Sequence, residues 1–332
     1  MIQIGPVHLD NPFILAPMAG IGDPPFRRLC RRGGAGMVCA EMVSSNALYF
    51  NDEKSQAMLT IFPDEHPVSM QIFGSDPERL ALAAQRAEQA GADIVDLNCG
   101  CPVPKITKTG AGASLTENES LFGKCLEAMA KAVKVPVTAK MRLGQKRGQS
   151  RAARLARIAE QAGVAAVTVH ARAVEDRHDG PPDLDALREV VSAVKIPVLG
   201  NGGVESYQEA RRMIREVGCA GVLIGQAAMG NPLLFLEMLE DARREGENFE
   251  QGPGSLPATR FDLLREHIRL NVEYYGEDVG IRSLRKVMGS YVKGLPCSAE
   301  FRGTAYTLRT EKDLNDLINR YESSLRAHVP FS

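Results

Sequence analysis

Eight short apolar runs recur along the first 224 residues, at 13–16, 37–40, 68–72, 94–97, 135–139, 166–169, 196–199 and 221–224. Their starts lie 24, 31, 26, 41, 31, 30 and 25 residues apart, which is the pitch of a strand–loop–helix–loop unit. Between them the spacing of apolar positions predicts helices over 76–90, 118–133, 150–162, 183–194 and 205–217. Asp76 can cap the first of these with Pro77 in its first turn, and Gly91, Gly163 and Gly218 stand where three helices should stop. Lys-Val-Pro-Val at 134–137 and Lys-Ile-Pro-Val at 195–198 repeat one helix-to-strand entry. Eight strands alternating with helices predict an α/β fold, a (β/α)8 TIM barrel. A doubly wound sheet would need a Gly-rich nucleotide loop after the first strand, and Pro17-Met18-Ala19-Gly20 is not one.

The pattern changes after residue 244. Residues 245–257, EGENFEQGPGSLP, are polar and rich in Gly and Pro, as a linker is. Beyond them only helical periodicity remains, as in Phe261, Leu264, His267 and Ile268, or Leu314, Leu317, Ile318 and Tyr321. The expected organisation is a catalytic barrel over 1–244 and a small C-terminal all-helical domain over 258–332.

Composition changes this picture little. With 44% hydrophobic and 24% charged residues, the chain is ordinary for a globular protein with a sizeable core. No apolar run approaches the roughly 18–20 residues of a membrane span, and the first residues lack a signal peptide's character. Seven cysteines form no CxxC pair, which points to a reduced, cytoplasmic setting and to no metal. Charge is more informative in its distribution than in its sum of −1. Residues 140–157 hold seven basic side chains and no acidic one, and residues 282–302 hold five against Glu300 alone. Such clusters suit either solvated helix faces or a surface for a polyanion.

The strand ends carry the candidate chemistry. A barrel's strands converge on one mouth, and the residues due there are Met18, Glu41, Gln71, Asn98 with Cys101, Lys140 with Arg142, His170 with Arg172, Asn201, and Gly225 with Gln226. Asn201-Gly202-Gly203 and Ile224-Gly225-Gln226 follow the last two strands, where barrels habitually bind phosphate on backbone N–H groups. A phosphate there, with Lys140, His170 and Gln71 across the mouth, suits flavin mononucleotide, whose ring a lysine and an amide can hydrogen-bond. Lys140 could instead form a Schiff base, although no acid stands near it in the sequence. Cys101 could be a small buried hydrophobe, and neither His170 nor Cys99-x-Cys101 has partners at metal spacing.

Nine stretches extend the reading: APMAGIGDPPFR (16–27), EMVSS (41–45), VSMQIFGSDP (68–77), DLNCGCPVPKI (96–106), VTAKMRLG (137–144), VTVHAR (167–172), PVLGNGG (197–203), GVLIGQAAMGNP (221–232) and LRKVMGSYVKGLP (284–296). In order and spacing the chain resembles the tRNA-dihydrouridine synthases, most of all the B-type bacterial enzymes. The resemblance implies reduction of uridine in the tRNA D-loop by FMN, itself re-reduced by NADPH or NADH, in a monomer. It places FMN on Pro17, Met18, Ala19, Gln71, Lys140, His170, Asn201, Gly202, Gly203, Gly225 and Gln226. Cys101 becomes the catalytic acid and Asn98 a contact to the target base, with Lys105, Arg142, Arg285 and Lys286 expected on the tRNA.

The chain departs from the family pattern at three places. Gln226 stands where Arg is usual, Val287 and Ser290 replace a usual His and Trp, and the loop AVEDRHDGPPD has no aromatic. Two other functions fit parts of the chain. A flavin oxidoreductase of a free pyrimidine would need neither the helical tail nor the basic runs. A non-catalytic tRNA-binding relative would explain Gln226.

Overall fold

Alternation along short strands decides this architecture. In the computed structural model, which describes residues 2–252, 254–257 and 259–327, an antiparallel hairpin of β1 (Ile2–Ile4) and β2 (Val7–Leu9) precedes the barrel. Then follow β3 (Phe13–Leu15), β4 (Met37–Cys39), the two-residue β5 (Val43–Ser44), β6 (Val68–Phe73), β7 (Ile94–Cys99), β8 (Val137–Arg142), β9 (Ala166–His170), β10 (Val198–Asn201) and β11 (Gly221–Ile224). Neighbours pair in parallel in chain order, and β11 returns to β3, closing a TIM barrel as expected. Both β4 and β5 pair with β6, so the second barrel strand is interrupted at residues 40–42 and resumes.

Outward positions such as Val95, Leu97, Val137, Ala139, Val167 and Val169 pack against the helix layer in the main core. Inward positions near the strand starts, among them Ile14, Met37, Ile94, Ala166 and Leu199, form a second core with Ile4 and Leu9 of the hairpin. The hairpin therefore plugs the N-terminal end, each buried Ile or Leu contributing about 1.5–3 kcal/mol. Its strands are too short for a periodic signal, and the pattern did not predict them.

The helices fall close to expectation. Pro77–Gln89 is capped by Asp76, Glu119–Ala132 by Asn118 and Leu184–Ala193 by Asp183. Two strands begin later than their apolar runs, at Val137 and Val198, because Pro136 and Pro197 supply no N–H to the ladder. They also run on through Lys140, Arg142 and Asn201, which face the barrel axis and so escape a search for apolar runs.

Helices Arg260–Tyr275, Glu277–Tyr291, Ser298–Ala305 and Glu311–Ala327 form a bundle around Leu264, Ile268, Leu284, Met288, Phe301 and Ile318. Residue 258 and residues 328–332, the expected ends of this domain, lie outside the described residues. The bundle is seated on the loop and helix after β3. Ile21 packs against both cores, Phe26 stacks on His267 at 5.8 Å, and Arg32 pairs with Glu266 at 2.7 Å. Tyr275 donates to Asp23 Oδ2 at 3.2 Å. The segment expected as a linker runs against the barrel. Glu250 N–H donates to Asp10 O, Asn11 donates to Glu250 O, and Phe249 meets Phe13 edge to face at 5.8 Å. Among the described residues no helix is long and apolar enough to cross a membrane.

Candidate active site

Strand parity explains what lines the mouth. With Val95, Leu97 and Val137 turned outward, Asn98, Lys140 and Arg142 must turn inward at the strand ends, as do Gln71, His170 and Asn201. They surround a cavity of about 460 Å³, within the range of small-molecule sites. Pro17, Met18, Ala19 and Leu223 give it an apolar wall. Gly202, Gly203, Gly225 and Gln226 form another part of its rim, and Cys101 opens into it.

Amides and cations fill the cavity in a defined order. Asn98 Nδ2 donates to Gln71 Oε1 at 2.8 Å, and Asn98 Oδ1 accepts from the backbone of Gly100 and Cys101 at 3.2 and 3.0 Å. Lys140 Nζ donates to Asn201 Oδ1 at 2.7 Å, and Asn201 Nδ2 donates to Leu223 O at 2.9 Å. Burial, and then the charge of Arg142, pull the Lys140 ammonium down to about 8. Burial, followed by Lys140, Arg142 and Arg172, holds the His170 imidazole far below its ordinary value. Arg172 Nη1 lies 3.2 Å from His170 Nε2. Since Arg can only donate, that ring nitrogen accepts and the proton of the neutral ring is on Nδ1.

Glycines dominate the turns after the last two strands. Gly202 and Gly203 have φ of +107° and +69°, and a Cβ on Gly202 would lie 2.7 Å from His170 and 3.1 Å from Arg172. The backbone N–H groups of Gly202, Gly203 and Gly225 have no acceptor among the described residues. These glycines line the cavity together with Lys140, Arg142 and Arg172, a combination of free backbone donors and positive charge that is compatible with an anionic ligand.

The family model of dihydrouridine synthase matches residues 14–326, spanning barrel and bundle. The chain belongs to the dihydrouridine synthase family. The tRNA-dihydrouridine synthase B of Pseudomonas aeruginosa is 42% identical over 302 residues, covering 91% of this chain and 90% of its own length. A probable tRNA-dihydrouridine synthase of Rickettsia bellii is 38% identical over 326 residues, covering 98% and 99%. Among solved structures, morphinone reductase superposes with a TM-score of 0.55 at 14% identity, over 77% of this chain and 93% of its own. That likeness is one of fold alone.

In this synthase the eleven residues expected around a cofactor all line the one cavity, as do Asn98, Cys101 and Arg142. The expected tRNA contacts scatter. Arg142 is buried and spends Nε on Gly100 O and Nη1 on Ala173 O and Arg177 O, so it pins loops at the mouth rather than offering itself to a phosphate. Lys105 is exposed on the short helix Pro104–Thr107, outside the cavity. Arg285 turns back within the bundle toward Leu308 O at 3.5 Å, while its neighbour Lys286 reaches the barrel at Gly20 O, 3.4 Å away. Successive helical residues point about 100° apart, so the two do not form one surface. The basic run is also largely neutralised, with Arg147 on Asp176, Arg151 on Glu117 and Glu119, and Arg154 on Glu119.

Three site residues escaped assignment from sequence. Arg172 stood at a strand end but carried no role, and His178 arrives from the following loop to lie 5.8 Å from the His170 ring. Asp96 was hidden inside an apolar run, although strand parity with Asn98 already turns it inward. Cys99, by contrast, faces outward, and burial drives its thiol far above the ordinary value. Among the described residues, no group of three or more His, Cys, Asp or Glu side chains is placed to hold a metal ion.

Proposed function

We propose that this synthase reduces the C5–C6 bond of uridine in the D-loop of tRNA, with FMN in the cavity, Cys101 as acid and NADPH or NADH as the outside reductant. One observation carries the reading: Gly202, Gly203 and Gly225, whose N–H groups have no acceptor among the described residues, line the same cavity as Lys140, Arg172 and Cys101. Those N–H groups and Arg172 would hold the phosphate of FMN, and Met18, Ala19 and Leu223 supply apolar wall for its ring. Lys140 and Gln71 are the cation and amide available to the ring's polar edge. Bound reduced FMN supplies the hydride that adds to C6 of the uracil enone. Cys101 Sγ gives its proton to C5, and the resulting thiolate is reprotonated by solvent. A thiol placed within reach of C5 is the kind of group that serves as a general acid.

A stacked uridine cannot enter this mouth, so it is extruded at a cost of a few kcal/mol. The bundle seated beside the mouth, with Lys286 at Gly20, offers surface to offset that cost, which a free pyrimidine would not need. Asn98 meets the flipped base, and Lys105 on the rim meets the phosphates. All seven cysteines are free, which suits the reducing setting of the cytoplasm.

The test is to purify the protein and assay dihydrouridine in tRNA. The expected protein is yellow and releases FMN on denaturation. Cys101→Ala keeps FMN but loses roughly 10²–10⁴-fold in product formation, while Cys99→Ala stays near wild type. A protein that takes up no FMN, or equal losses in the two variants, would refute the assignment.

A further inference from the structure

Asp96 lies two residues before Asn98 on β7, 6% exposed and inside the barrel beneath the cavity. Its Oδ2 accepts from Gln71 Nε2 at 2.7 Å and its Oδ1 from Thr138 Oγ1 at 2.6 Å. Gln71 Oε1 accepts from Asn98 Nδ2, and Asn98 Oδ1 accepts from the N–H groups of Gly100 and Cys101. A continuous path thus runs from Asp96 to the peptide that carries the Cys101 thiol. It joins residues 25 and 27 positions apart in the chain.

The direction of this path is dictated from both ends. A backbone N–H can only donate, so the Asn98 atom facing Gly100 and Cys101 is oxygen. The Asn98 nitrogen therefore faces Gln71, whose facing atom must be oxygen. That leaves the Gln71 nitrogen toward Asp96, where a carboxylate can only accept. Turning either amide round would set donor against donor and acceptor against acceptor. A neutral apolar residue at 96 would remove one of the two ends that select this sense and leave Gln71 Nε2 without its acceptor, so the amides would be held from the loop side alone.

We infer that Asp96 is a positioning residue for Cys101, acting through the amides of Gln71 and Asn98 to hold the loop that presents the thiol. The inference rests on the role proposed above for Cys101. A buried carboxylate is costly to keep, and burial leaves the Asp96 carboxyl above its ordinary value although two accepted hydrogen bonds and Lys140 nearby offset part of that cost. Charge balance for Lys140 is thus the rival role. The two roles separate by substitution, because an Asn at 96 can still accept from Gln71 and donate to Thr138 while it carries no charge.

The experiment uses the full chain loaded with FMN and measures alkylation of Cys101 by iodoacetamide, peptide by peptide. Cys297, on the bundle and partly exposed, serves as internal reference. Asp96→Ala should raise the Cys101 to Cys297 labelling ratio by about fivefold, the weight of one net hydrogen bond. It should also lower kcat by roughly tenfold or more, with KM for tRNA within about twofold. Asp96→Asn should leave the labelling ratio near wild type. In an Asn98→Ala background, adding Asp96→Ala should change the ratio no further, since the path is already cut. Additive effects, or Asn and Ala at 96 raising the ratio alike, would overturn the inference in favour of charge balance. Should Asp96→Ala not fold, Gln71→Met cuts the same path one link on, and an unchanged ratio there is equally fatal. The ratio is read without turnover, so a protein that makes no dihydrouridine would defeat the proposed function and still report on Asp96.

Discussion

Replacing Arg172 by Gln should weaken FMN binding and stabilise the empty protein at the same time. The guanidinium is anchored by Nε on Gly180 O at 2.9 Å and by Nη1 against His170. Its Nη1 and Nη2 lie 3.1 and 3.7 Å from the points where Cβ atoms of Gly202 and Gly203 would stand. It is therefore the cation nearest Gly202 and Gly203, where the proposed phosphate would sit and where Gln226 brings no charge. At ~4 Å and an effective dielectric near 20, one unit charge pair is worth about 4 kcal/mol. Desolvation of the phosphate and of the half-buried guanidinium cuts this to the roughly 1.5–3 kcal/mol of a charge-assisted hydrogen bond. The dissociation constant should then rise by about 10- to 150-fold. Without FMN, the same substitution removes one of three crowded cations, so the melting temperature of the empty protein should rise. The assay is quenching of FMN fluorescence at fixed ionic strength, with riboflavin as the control that lacks a phosphate. Riboflavin should bind wild type and variant alike, and Gln226→Arg should recover part of the loss by restoring a charge beside the proposed phosphate. An FMN affinity within about twofold of wild type, or an equal loss for riboflavin, would refute the placement of the phosphate.

Two further outcomes follow from the positions of the basic side chains. Lys286→Ala should flatten the salt dependence of tRNA binding by about 0.7–0.9 log unit per log unit of salt, one phosphate contact, whereas Arg285→Ala should leave the slope unchanged; filter binding over a salt series decides, and an unchanged slope for Lys286→Ala would remove the bundle edge as a docking surface. Lys140 is held at about 8 in the folded protein against about 10.4 when unfolded, so the unfolded chain binds more protons between those values and stability of the empty protein should rise with pH across that window. Lys140→Met should abolish the rise in a series of thermal melts, and a rise that persists in the variant would show that another group causes it.

Local information reaches as far as the elements and the mouth of this barrel. Apolar runs at a steady pitch, the Asp76 cap before Pro77 and glycines after helices each act within a few residues, so the TIM barrel is readable without coordinates. Because parallel strands end together, the polar residues after each run also had to meet, and Gln71, Asn98, Lys140, His170 and Asn201 do. The resemblance carried in those same stretches pointed to the dihydrouridine synthase family, which the family match over residues 14–326 shows. Tertiary structure alone decided the rest. Arg147, Arg151 and Arg154 read as a free basic run until Asp176, Glu117 and Glu119 arrive from other loops. Arg285 and Lys286 are neighbours in sequence, yet helical geometry sends one into the bundle and the other to Gly20. Asp96 hides within an apolar run, and its partners Gln71 and Thr138 come from the two flanking strands. Charge pairing and hydrogen-bond direction depend on distances between residues far apart in the chain, and only the closed barrel sets those distances.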